Sequence, residues 1–583
     1  MVQLNKKFYL CLGGLLFLGL TLYKPISTYG LPWLISLTQK NSANPAVSLP
    51  LLPALPQDAE VQVYFNHSPA ATYTEPYRQI TRYGDDLEQI IVEEINSAKV
   101  SVDMAVQEFR LPKIAQALTE KKRSGVSVRV VLENNYSRPW SDLTAAEVEK
   151  LPERERGKYQ EFVQLVDRNQ DGQLSPEEIN QGDTLVILRN GGIPIIDDRA
   201  DNSKGSDLMH HKFLVIDGKI TISTSANLTT SDVHGDFASN SSRGNTNNLL
   251  KINSSEVAQL FTQEFNLLWG DGVGGQPDSL FGIKKPFRPA KTLQIGNNAI
   301  TIQFSPSNKN IPWSQSSNGL INQNLAQANQ SINLALFVFS DQKLANTLQT
   351  DQSKGVQIQV LIDRQFAFRS YSEGLDLLGV ALADEQCRYE AGNSPWQSAI
   401  ASLGTPNLPP GDLLHHKFGL IDDQVVITGS HNWSEAANSS NDETVVVVKN
   451  PVVAAHFRRE FDRLYSNASL GLPSSIQTQI QQDALRCPQP ITKPSTTKPS
   501  TTSPNVPNPN VPSPSIPPSP QGLVNLNTAT QKELEALPGV GVKLAQQIIL
   551  ARQRQPFTSW EDLEKVPGMN ANLKQKLAGK VIW

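Results

Sequence analysis

Two stretches of the chain set a histidine, a lysine and an aspartate at one spacing. His210, Lys212 and Asp217 precede Thr224-Ser225-Ala226-Asn227, and His415, Lys417 and Asp422 precede Gly429-Ser430-His431-Asn432. Both fit H-x-K-x4-D-x6-(G/T)-S-x-N. In an extended strand alternate side chains share a face, so each set delivers one imidazole and one ammonium to a surface while His211 and His416 point the other way. A pair of imidazoles titrating near neutrality divides phosphodiester cleavage between a nucleophile attacking phosphorus and an acid protonating the leaving oxygen. Two lysines and two asparagines supply donors for the extra negative charge of five-coordinate phosphorus. A protonated lysine is a poor metal ligand, so the expectation is catalysis without a metal or other cofactor.

The elements that must hold these groups repeat. Ala98–Ala105, Ile114–Leu118 and Gly125–Leu132 read like Ala328–Ala335, Leu344–Leu348 and Gly355–Ile362, at a constant offset of 230 residues. Each copy alternates apolar runs of strand period with a stretch of helical period, which is the pattern of α/β layering. Each half closes on a helix with an aromatic stripe, Phe261, Phe265, Leu268 and Trp269 in one, Phe457, Phe461, Leu464 and Tyr465 in the other, spaced for a core.

Paired motifs of this kind resemble the phospholipase D superfamily. The resemblance implies two pseudo-twofold-related α/β/α sandwich halves with the active site at their junction, and a phosphohistidine intermediate resolved by water or an alcohol. It makes His210 and His415 nucleophile and general acid, and has Lys212, Lys417, Asn227 and Asn432 bind phosphoryl oxygens. Ser225 and Ser430 shape the turns after the strands, and Asp217 and Asp422 act as positional supports. The family often has an acid soon after each motif that orients a histidine across the twofold axis. The second half has Asn441-Asp442-Glu443, but the first reads Asn245-Thr246-Asn247, with Asp232 or Asp236 as substitutes. If partners cross between halves, Glu443 orients His210 and marks it as the nucleophile.

The halves differ in the middle. Gly125 to Gly192 spans 67 residues and Gly355 to Gly379 spans 24, so the first half carries an insertion of 43 residues, at about 140–185. Inside it, Asp167, Asn169, Asp171, Gln173, Ser175 and Glu178 fill the ligand positions of a D-x-N-x-D-G-x5-E calcium loop, with Gly172 at the turn. The expected ion is a structural Ca2+.

Length and composition bound the rest. At 583 residues the chain exceeds one core, and 39% hydrophobic with 19% charged residues excludes bulk disorder. Three cysteines exclude a disulfide scaffold or a Cys-x-x-Cys zinc site; Cys387 and Cys487 are free to pair if exported. Lys6-Lys7 and the uncharged run Phe8–Leu22 read as an export signal or, preferred here, an uncleaved membrane anchor within 1–24, facing the catalytic parts to the periplasm or exterior. A linker at 25–59 leads to halves at 60–285 and 295–475. Twelve prolines at 488–520 form an extended tether. The remaining module, 522–583, resembles the helix-hairpin-helix units of competence DNA receptors, expected to be all-α. Its Gly539-Val540-Gly541 turn, Lys543 and Gly568 are the candidate contacts to a DNA backbone. The leading expectation is a DNA-cleaving phosphodiesterase. Its competitors are a phospholipase D acting on phospholipid headgroups such as phosphatidylcholine, and a non-catalytic DNA-capture receptor.

Overall fold

A computed structural model describes residues 51–487, apart from 204–206 and 238, and most of 524–582. The expected anchor at 1–24 and the Pro-rich tether at 488–520 lie outside the described residues. The chain divides into two compact units, 1–491 and 492–583.

The first unit holds two sheets of matching topology. Strands β1 (Val61–Phe65), β2 (Ser101–Val106), β3 (Ser127–Leu132), β4 (Ile195–Asp197), β5 (Lys212–Ile216), β6 (Ile220–Thr224) and β7 (Asn248–Asn253) assemble in the order β1-β7-β6-β5-β2-β3-β4. The second sheet contains β8 (Lys291–Ile295), β9 (Asn298–Phe304), β10 (Ser331–Leu336), β11 (Gln357–Ile362), β12 (Leu403–Thr405), β13 (Lys417–Ile421), β14 (Val425–Gly429), β15 (Thr444–Lys449) and β16 (Ser469–Leu470). Its order is β8-β9-β15-β14-β13-β10-β11-β12-β16, the first pattern with one strand added at each edge. In both, the strand opening on lysine lies antiparallel to a central strand that pairs in parallel with the next, β2 with β3 and β10 with β11. Apolar residues on both strand faces dictate helices on both sides of each sheet.

Helices α1 (Leu87–Ser97) and α2 (Pro112–Arg123) cover the outer face of the first sheet with Ile91, Ile95, Ile114 and Leu118 in one core. The inserted segment adds α3 (Glu153–Val166) and α4 (Pro176–Gly182), followed by α5 (Thr184–Asn190). Between the sheets lie α6 (Ser255–Trp269) and α7 (Pro451–Tyr465). Ser254 and Asn450 cap them by accepting from Val257 and Val452 N–H, and Pro451 suits a first turn whose N–H would be unpaired. Their stripes, Phe261, Phe265 and Leu268 with Phe457, Phe461 and Leu464, join residues of both sheets in one buried core. Burial at roughly 2 kcal/mol per large apolar side chain therefore fixes the two halves against each other.

Cys387 and Cys487 form a disulfide that ties the end of helix α8 (Ser474–Arg486) to the second half. In the second unit, Leu534, Leu537, Val540, Ile548, Leu563 and Leu577 build a small core around α9 (Val542–Arg554). The module is helical, and the two-residue strands Val524–Asn525 and Val581–Ile582 pair in parallel to close its ends.

Candidate active site

His210 and His415 each sit two residues before a buried strand-opening lysine, Lys212 of β5 and Lys417 of β13. Both histidines line one cleft of about 710 Å3, together with Asn227 and Asn432. Main-chain bonds join the halves at two of its lining residues: His210 N–H donates to Asp442 O and Thr246 N–H to Leu413 O.

The side-chain partners also cross. Nδ1 of His210 lies 2.7 Å from Glu443 Oε2, a carboxylate of the other half. Ser430 Oγ donates to the same oxygen at 2.7 Å and accepts Thr444 N–H, so the serine after the strand aims the carboxylate. In the mirror position, Nδ1 of His415 lies 3.0 Å from Asn247 Oδ1, which also accepts from Ser225 Oγ. Asn247 Nδ2 donates to Asp232 O and Asn245 O, which fixes the amide with its oxygen toward the imidazole. Asn247 thus stands where the other half has Glu443. Neither proposed substitute replaces it by hydrogen bonding: Asp232 Oδ1 lies 3.9 Å from the imidazole, and the main chain of Asp236 is engaged outside the cleft, its N–H donating to Ser242 Oγ and its carbonyl accepting from Arg78.

Bonding Nδ1–H to an acceptor leaves Nε2 of each ring for the chemistry. Burial, followed by the charges of Lys212 and Lys417, holds both histidines well below the ordinary imidazole value. Burial also brings Lys212 down to about 8, and Lys417 well below its usual range with Lys212 adding repulsion. Two desolvated ammonium groups side by side favour an anion between them. Each lysine is aimed by its own half: Lys212 Nζ donates to Gln107 Oε1 and His210 O, and Lys417 Nζ to His415 O while lying 5.1 Å from the centre of the Phe337 ring. Asn227 Oδ1 and Asn432 Oδ1 are buried without partners.

The remaining histidine of each motif faces the interior. His211 reaches Thr444 Oγ1 and Glu264, and His416 reaches Asn248 and Glu460. The motif aspartates are not in the cleft. Asp217, at φ +52° past the far end of β5, accepts from Lys99, Val100 and Ser101 N–H. Asp422 does the same for Asn329, Gln330 and Ser331. Each clamps the start of the neighbouring central strand and stands apart from the chemistry.

The calcium-loop residues share one turn between α3 and α4, with Gly172 at φ +79°. Asp167 accepts from Asp171 and Gly172 N–H, Asn169 from Asp171 N–H, and Asp171 from Gln173 N–H. Glu178 accepts from Arg168, Asn169 and Ser175 N–H and from the Ser175 hydroxyl. Among the described residues, no group of three or more His, Cys, Asp or Glu side chains is gathered as for a metal. In the C-terminal unit, Val540 N–H donates to Leu537 O and Gly541 is exposed at the start of α9, whereas Gly539, Gly568 and the Lys543 side chain lie outside the described residues.

Sequence spacing had not singled out Gln107, Arg110, Tyr136, Trp140, Lys158 or Phe337, all of which line the cleft. Gln107 and Phe337 occupy equivalent repeat positions, and that offset was the available signal.

Parts of the chain are similar in sequence to known proteins. A family described as "Cardiolipin synthase, PLD-like domain" matches residues 91–269 and 321–465, and one described as "Helix-hairpin-helix motif" matches 519–582. A mitochondrial cardiolipin hydrolase of Xenopus tropicalis is 30% identical over 143 residues, 24% of this chain and 57% of that protein. A phospholipase D of Rickettsia typhi is 28% identical over 147 residues, 25% of this chain and 62% of that protein. The chain thus spans about 60% of the length of these relatives. The crystal structure of Nuc from Salmonella typhimurium, a phospholipase D family member, aligns at 20% identity and a TM-score of 0.23, covering 30% of this chain and 100% of Nuc. The family match runs through both repeat copies, and the chain belongs to the PLD-like domain family of the phospholipase D superfamily.

Proposed function

We propose that this protein is a phosphodiesterase working through a phosphohistidine, with DNA as its favoured substrate. The carrying observation is the pairing of His210 with Glu443 across the halves, in a cleft that also contains His415. Nε2 of His210 attacks phosphorus as the bond to the leaving oxygen breaks, and His415 gives that oxygen the proton on Nε2. Water then attacks phosphorus, loses its proton to His415, and displaces His210. Lys212, Lys417, Asn227 and Asn432 donate to the non-bridging oxygens throughout. The helix-hairpin-helix match supports nucleic acid as the substrate; phospholipid hydrolysis is the second reading, favoured by relatives named as cardiolipin hydrolase and phospholipase D.

Two further proposals accompany this one. The oxygen-rich loop from Asp167 to Glu178 suits a hard cation, and Ca2+ held by Asp167, Asn169, Asp171, Gln173, Ser175 and Glu178 would brace the insertion. The Cys387–Cys487 disulfide supports an exported protein, with residues 1–24 as the membrane anchor.

The deciding experiment offers purified protein, in EDTA, plasmid, single-stranded DNA and phosphatidylcholine, and quenches with acid or alkali to trap the intermediate. Nucleic-acid cleavage with an alkali-stable label on His210 is expected, and His210→Asn should lower turnover by roughly a thousandfold or more. Label that persists in His210→Asn and vanishes in His415→Asn reverses the assignment. Choline release without DNA cleavage selects the second reading, and DNA binding without turnover of any substrate leaves only a capture protein.

A further inference from the structure

The insertion is part of the cleft. Arg154, Gly157, Lys158, Glu161, Phe162 and Leu165 of α3 all line it, a spacing of i, i+3, i+4, i+7, i+8 and i+11 that constitutes one complete helix face. The second half has no counterpart to this helix, so the cleft is walled differently on its two sides. Position 107 carries glutamine where the repeat has Phe337, and position 110 carries arginine where it has Ser340. Phe337 packs edge-on against His415 with ring centres 4.9 Å apart, so an apolar ring stands there where the first half has an amide.

The α3 side carries cations. Arg154 is exposed and, among the described residues, engages no carboxylate or hydrogen-bond acceptor. Lys158, one turn further along, is held by Glu108 at 3.0 Å and lies over the Tyr136 ring. Arg110, which also lines the cleft, is only 9% exposed; its Nη2 donates to Tyr136 O, its Nε and Nη1 have no hydrogen-bond partner, and its main-chain N–H donates to Leu228 O, next to Asn227. Glu108, 3.9 Å from Arg110, is shared with Lys158 and balances one of the two charges. The other acids lining the cleft from this half are Asp232, beside His415 and Asn227, Glu161, which burial pushes up to about 7, and Asp236, which burial also raises.

We propose that α3 is the substrate-recognition wall of the cleft: Arg154 and Lys158 bind phosphates that flank the scissile phosphodiester of a nucleic-acid strand, in a cleft that also holds the fixed positive charge of Arg110. The two cations are four residues apart, about 6 Å along a helix, so they meet successive phosphates of an extended strand and not one group. This assignment rests on the nucleic-acid reading given above.

The test uses the full chain, wild type and Arg154→Gln/Lys158→Gln, on a single-stranded oligonucleotide and on bis(p-nitrophenyl) phosphate, a diester with no neighbouring phosphate, across a salt series. At roughly 0.7 per phosphate contact on a single strand, the log–log salt slope of kcat/KM for the oligonucleotide should become shallower by about 1.4 in the double variant. Efficiency on the oligonucleotide relative to the small diester should fall about tenfold. Arg154→Gln alone, at an exposed and unpartnered position, should change the slope by about 0.7 and serves where the double variant does not fold. A slope unchanged in an enzyme that still cuts the oligonucleotide overturns the role of α3 alone. Wild type that turns over the small diester and leaves the oligonucleotide intact overturns the nucleic-acid reading, and this assignment with it.

Discussion

The two imidazoles of the cleft differ in the charge of the side chain that accepts from Nδ1. His210 donates Nδ1–H to a carboxylate and His415 to an amide, although the serine that aims the acceptor is the same in both halves. A carboxylate partner stabilises the imidazolium and an amide does so far less, so the exchange of Glu443 for Asn247 is a difference in basicity between the two rings. Burial and the paired lysines already hold His415 well below the usual imidazole value. In the proposed role of acid, it would lose activity as pH rises through that lowered value. Asn247→Glu adds a negative charge at Nδ1 and keeps the ring protonated to higher pH, so the basic limb of the kcat/KM profile should move upward by about one to three units. Asn247→Gln, which retains the amide, should leave the limb where it is; an unmoved limb in Asn247→Glu would remove the amide from the role of His415's partner. The departure at Asn247 was readable as a missing acid, but not what replaced it. Asp232 and Asp236 were also near in sequence, and only the fold turns Asn247 Oδ1 onto the ring.

At the scale of elements, the repeat was legible because strand and helix periods recur at one offset, and the matching strand orders follow from it. The insertion was legible only as extra length with a calcium-loop pattern. That α3 faces the reaction centre depends on a tertiary path no local pattern encodes. The loop at the end of this same helix gives an element-scale prediction. Isothermal titration of the protein with Ca2+ should show one binding event at micromolar to millimolar affinity, and Glu178→Gln should abolish it. Heat release unchanged in Glu178→Gln would assign the binding elsewhere, and none in the wild type would reduce the loop to a helix cap, a role Ser175 and Glu178 already fill.

Across the whole molecule, catalytic and helix-hairpin-helix parts are separate compact units, so their contributions should separate experimentally. Removing 492–583 should leave kcat on a small diester within about twofold, weaken binding to long DNA, and flatten the salt dependence of that binding, since backbone contacts release counterions. Unchanged DNA affinity would assign the second unit to another partner. Some of its basic side chains are already committed within the module: Arg552 donates to Leu526 O and Ala529 O, and Lys574 pairs with Glu564. By itself the sequence determined the paired histidine–lysine sets, the duplicated α/β halves and the hairpin module, because residue spacing within a strand or turn is local geometry. Which half supplies each histidine's partner, that the motif aspartates clamp neighbouring strands away from the chemistry, and that an inserted helix walls the cleft were decided only in three dimensions. Those relations join residues far apart in the chain, and it is the burial of both aromatic stripes in one shared core that brings them together.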